Sequence, residues 1–121
     1  MEIKPDLLII QTHAPYASSH AQEALDLVLA AAAFDTKATY LLTDDACFQL
    51  LPDQAPEHVG RKALHKMMKA LPVYGVEQIL VAQDDLTARG ITTIDAAFSV
   101  QPISQAEISD LIQASRNVIR F

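Results

Sequence analysis

The chain offers little side-chain chemistry, and most of it lies just past short apolar runs. Its only cysteine, Cys47, stands in "TDDACFQLLPDQ", Thr43 to Gln54. As a thiolate it could attack sulfur or ligate a metal, but cysteine is also among the most often buried residue types. Two aspartate pairs, Asp44-Asp45 and Asp84-Asp85, each follow an apolar run. Four carboxylates at one sheet edge could hold a hard cation such as magnesium. They could equally cap helix N-termini and complement helix dipoles, and this is the favoured reading.

The four histidines, His13, His20, His58 and His65, form no HExxH and no close ligand pair in sequence. With one cysteine there is no zinc signature, so no metal and no cofactor is expected. His13 is the best placed, at the end of the first apolar run. It is the candidate neighbour of Cys47 if that thiol accepts sulfur. Of the three glycines, Gly60, Gly75 and Gly90, none opens the first helix, which disfavours phosphate-cradling nucleotide loops. No GxSxG occurs either, which removes the serine hydrolase reading.

These residues need a scaffold, and 121 residues with 50% hydrophobic content suffice for one domain spanning 1–121. Nine basic against fifteen acidic residues give a net charge of −6 without a basic run, so direct nucleic-acid binding is not expected. The opening "MEIKPDLLIIQTHAP" is too short in apolar residues for a signal or a membrane span, and a cytoplasmic location is expected. A lone cysteine excludes internal disulfides and CxxC chemistry.

"DLLIIQ" (Asp6 to Gln11) reads as a strand buried on both faces. Ser19 with Gln22 makes a capping box before a helix carried by Leu25, Leu29 and Ala32/Ala33. "KATYLLT" (Lys37 to Thr43) is a second strand, and "ACFQLL" allows only a turn or two of helix. Val59, Ala63, Leu64, Met67, Met68 and Leu71 build one helix face, stopped by Pro72 and Gly75. "EQILVA" (Glu77 to Ala82) is a third strand, followed by a short helix ending at Arg89-Gly90. The segment Ala97 to Gln101 is a fourth strand. Ser104 and Glu107 cap a last helix, and "NVIRF" is a fifth strand.

This alternation predicts a three-layer α/β/α sandwich around a mostly parallel five-stranded sheet. Strand order is not readable from it. Functional residues are expected in the loops at the carboxyl ends of the strands. Phe48, Leu50 and Leu51 crowd one short segment beyond what a single helical turn can bury, which points to a protein interface.

The sequence resembles the TusC/DsrF family of DsrE-like sulfur-transfer subunits. The likeness rests on Ala14-Pro15, "EALDLVLAAAAF", "FQLLPDQAPE", "YGVEQILV", "LTARGI" and the ending "NVIRF". It implies a subunit that joins TusB/DsrH-like and TusD/DsrE-like relatives in a heterotrimer, doubled to a heterohexamer. Such complexes relay persulfide sulfur towards 2-thiouridine formation at the tRNA wobble position, or serve sulfur oxidation. The resemblance implies that the reacting cysteine sits chiefly in the DsrE/TusD-type subunit, after the strand that here reads "EQILVA". Leu80 to Asp85 contains no cysteine, so the expected role is a non-catalytic subunit. Two alternatives stay open: a sulfurtransferase carrying persulfide on Cys47, and a metal- or small-ligand-binding domain. Homo-oligomers in the absence of relatives stay open as well.

Overall fold

The computed structural model describes residues 3–14, 20–52, 66–76 and 78–121. The strands are β1 (Leu7–Gln11), β2 (Ala38–Leu42), β3 (Ile79–Ala82), β4 (Val100–Ile103) and β5 (Asn117–Arg120). They form one sheet in the order β4-β3-β2-β1-β5, with every pair parallel. Among the described residues, the complete helices are α1 (His20–Ala33), α2 (Gln83–Ala88) and α3 (Gln105–Ala114), residues 66–69 end another helix, and 3-10 helices lie at Asp44–Leu50 and Leu71–Tyr74.

Register and period-two alternation sort the strand residues into two apolar layers. Ile9, Tyr40 and Ile79 share one row, and their layer packs on Ala21, Ala24, Leu25 and Val28 of α1. Those four positions repeat at helical spacing, so α1 turns one continuous stripe to the sheet. Burial of Leu25 and Val28 contributes about 1.5–3 kcal/mol each. Leu8, Leu41, Leu80 and Ile103 belong to the opposite layer, against Ile108 and Leu111 of α3. This is the expected sandwich. The Ser104–Glu107 capping box is present, with both reciprocal bonds made.

Three chain reversals share one cap. After α1, Asp35 N–H reaches Ala32 O and Thr36 N–H reaches Ala31 O, with Asp35 at φ 58°. The same bond pair closes at Gly75 (φ 89°) and Gly90 (φ 64°). Each is a Schellman motif, and only Asp35 carries a Cβ into the left-handed region.

Two expectations are corrected. The fourth strand is Val100–Ile103 rather than Ala97 to Gln101. Asp95 takes the preceding residues into a turn, accepting from Ala97 N–H on its side chain and from Phe98 N–H on its main chain. Pro102 is tolerated because β4 is an edge strand. The helix that includes residues 66–69 ends at Ala70, just before Pro72, which sits inside the 3-10 helix Leu71–Tyr74 capped by Gly75. Asp44, Asp45, Asp84 and Asp85 are not caps. Thr43 and Ala82 hold the N-cap positions, and the aspartates occupy the first turns, where they still complement the dipole. The Ser19 part of the first capping box and the helix face before Lys66 lie outside the described residues.

Candidate functional site

The carboxyl edge of the sheet is where ligands bind in open parallel sheets. Here β3 sends the chain to the α1 side, with Leu86 of α2 in that layer, while neighbouring β4 sends it to the α3 side. The chain directions diverge at the ends of these two strands, and Gln83, Asp84 and Asp85 directly follow β3 there. None of them is a nucleophile fit for sulfur.

Cys47 lies beside this edge, in the seven-residue 3-10 helix that the short "DDACFQL" segment forms after β2. Its side chain is wholly buried in the α1-side core with Ala46 and Leu50. Burial pushes the thiol up to about 12, and the nearby Asp85 and Asp44 carboxylates add to the rise while Arg89 opposes it. A thiol at about 12 is ionised in on the order of one molecule in 10^5 at pH 7.

A latch of charges closes the surface above it. The Asp44 N–H donates to Asp85 Oδ2 at 2.8 Å, which accounts for the left-handed φ of 52° at Asp44. Arg89 donates through Nε to Asp45 Oδ1 at 3.0 Å and approaches Asp85 Oδ1 at 3.6 Å and Asp44 Oδ1 at 4.0 Å. The guanidinium thus occupies the place proposed for a hard cation. Among the described residues no group of three or more His, Cys, Asp or Glu side chains could hold a metal ion. Arg89 escaped the sequence reading because it looked only like a helix stop. Its partners Asp44 and Asp45 lie more than forty positions away.

His13, just past β1, meets Thr12, Gln11 and His20. Its ring meets His20 edge-on, with centroids 4.3 Å apart. Sequence reasoning missed that pair because no local spacing rule joins residues seven positions apart across the end of β1 and the start of α1. His58 and His65 lie outside the described residues.

The Phe48–Leu51 cluster divides. Leu50 is fully buried and belongs to the core, against the expectation of an interface residue. The seven-residue 3-10 helix gives its Ala46, Cys47 and Leu50 side to the core. Phe48 is 38% exposed and Leu51 half-buried; with Pro52 and Ile91 they line a groove next to Arg89. Phe34 and Val73, each 84% exposed, are further bare apolar groups. No described helix is long and apolar enough to cross a membrane.

Comparison with known proteins places the chain in a family and shows its fold in a solved structure. Residues 6–121 match the model of the DsrE/DsrF-like family. A TusC homolog of Pseudomonas aeruginosa is 38% identical over 113 residues, covering 93% of this chain and 95% of that protein. The intracellular sulfur oxidation protein DsrF of Allochromatium vinosum is 32% identical, covering 99% of this chain and 98% of its own. The crystal structure of the ychN protein from E. coli superposes with a TM-score of 0.78 at 20% identity, covering 97% of this chain and 99% of that one, which shows the same fold.

Proposed function

The chain belongs to the DsrE/DsrF-like family, and we propose that it is an interaction subunit of a sulfur-relay complex that does not itself carry the sulfur. The relatives named TusC homolog and DsrF support the relay part of this reading. The observation that carries the second part is the burial of Cys47. Relay requires a thiolate that attacks a persulfide and then holds the sulfur within reach of an acceptor. Cys47 is wholly buried, burial pushes its thiol up to about 12, and the chain has no other thiol.

In this reading the partners are TusB/DsrH-like and TusD/DsrE-like subunits in a heterohexamer. The cytoplasmic complex serves 2-thiouridine formation in tRNA or sulfur oxidation. The net charge of −6 leaves any RNA contact to the partners. The groove of Phe48, Leu51, Pro52 and Ile91 is the docking surface, since Phe48 stays 38% exposed there beside half-buried Leu51, Pro52 and Ile91, and an interface covers such groups.

Co-expression with homologous subunits tests this. The wild type should co-purify in fixed stoichiometry, and Phe48→Asp with Leu51→Asp should abolish the association while leaving a folded chain. A monomer that ignores every relative contradicts the proposal.

A further inference from the structure

The two edges of the sheet are not alike. At β4, Ile79 N–H donates to Ser99 O, so strand alternation turns the peptide groups of Gln101 and Ile103 to β3 and those of Val100 and Pro102 outward. Pro102 has no N–H to offer, which blunts that edge against a further strand. At β5, Asn117 N–H donates to Asp6 O, Phe121 N–H donates to Ile10 O, and Phe121 O accepts from Thr12 N–H. Asn117, Ile119 and Phe121 therefore face β1, while Val118 and Arg120 turn both N–H and C=O away from it. Those outward groups have no partner among the described residues.

The side chains leave this edge open too. All four residues of β5 are exposed, Val118 at 40% and Ile119 at 39%. By register Val118 and Arg120 share the α3 face of the sheet with Leu8 and Ile10, and Ile119 shares the α1 face with Ile9. Arg116 and Arg120 are exposed, and neither makes an ion pair among the described residues. Asp6 lines the same shallow groove as Arg116, but its carboxylate accepts from the Lys37 N–H at 3.2 Å. In a chain of net charge −6 this edge thus presents two cations without counter-ions.

We propose that β5 is the docking edge for an extended acidic segment of a partner protein, which adds antiparallel beside Val118 and Arg120 as a sixth strand. Main-chain bonds to those two residues give the affinity, as in other strand additions. Asp or Glu stands opposite Arg120 and apolar residues opposite Val118 and Ile119, the cross-strand pairs that stabilise a sheet. A second copy of this chain fits worse. Its two-fold pairing about Ile119 would use the same main-chain groups, but it sets Arg120 against Val118 and brings no acid to either arginine. The surface shares no residue with the groove of Phe48 and Leu51 and does not depend on the sulfur-relay reading.

The test is an NMR titration of the 15N-labelled full chain with a blocked synthetic peptide, Ser-Glu-Val-Val-Thr-Glu-Ser. The amide protons of Val118 and Arg120 should move downfield on binding, and that of Ile119, already bonded to β1, should move less; this readout needs no variant to fold. Arg120→Glu should weaken binding about fivefold, and a peptide with Lys in place of both Glu residues should restore it to that variant. Absence of binding at millimolar peptide overturns the proposal, as does equal binding of the acidic and basic peptides by the wild type. So does sedimentation of the free chain as a dimer that Arg120→Pro dissociates, because the edge then belongs to a second copy.

Discussion

The main-chain N–H of Asp44 donates to Oδ2 of Asp85 across 2.8 Å, which ties the turn after β2 to the helix after β3. Asp85 also stands beside Arg89, so one carboxylate serves both the strained backbone of Asp44 and the guanidinium. Its replacement by Ala removes a charged acceptor at a site only 23% accessible. Asp85→Ala should lower unfolding stability by about 1–3 kcal/mol. Urea titration measures it, and an unchanged midpoint would mean the latch is decorative.

Arg89→Met removes the cation from among three carboxylates. These pairs sit at the surface, so the loss should be at most about 1 kcal/mol, and it should shrink as salt rises to 1 M. Paired urea titrations at low and high ionic strength check both size and sign.

Asp35→Gly tests the cap that ends α1. Asp35 holds a left-handed φ of 58° that the other two such caps leave to glycine. The substitution should stabilise by about 1 kcal/mol and raise the thermal midpoint. A lower midpoint would mean that the Asp35 side chain contributes more than its backbone costs.

Ser104→Ala breaks the cap of α3 and should cost about 1 kcal/mol. Glu107 accepts from the backbone N–H of Ser104, which holds its carboxyl below the usual glutamate value. A lowered folded value stabilises above the unfolded one and is lost as pH falls through the folded one. The difference between wild type and Glu107→Gln should therefore be present at pH 7 and vanish in acid.

Much of this fold was legible because strands buried on both faces are continuous apolar runs, as in "LLIIQ" and "ILVA". β4 was harder to place. Its sequence "VQPI" is half-exposed and contains proline, while the more apolar segment beside it is a turn pinned by Asp95. The location of Cys47 was readable, but its burial depended on which side of a 3-10 helix meets the core. The Arg89 latch and the His13–His20 pair arise from tertiary juxtaposition, for which local periodicity carries no signal.

The central claim is that Cys47 is a structural thiol. Because burial raises its folded value from 9.0 to about 12, its contribution to stability is complete below pH 9 and is lost as pH rises towards the folded value. Cys47→Ala should therefore gain on the wild type as alkali increases. The most direct test is incubation of the folded chain, and of Cys47→Ser, with a persulfide-charged cysteine desulfurase, followed by intact mass under non-reducing conditions. The account predicts no added sulfur on either protein. Gain of one sulfur atom by the wild type alone would contradict it and make Cys47 a relay thiol.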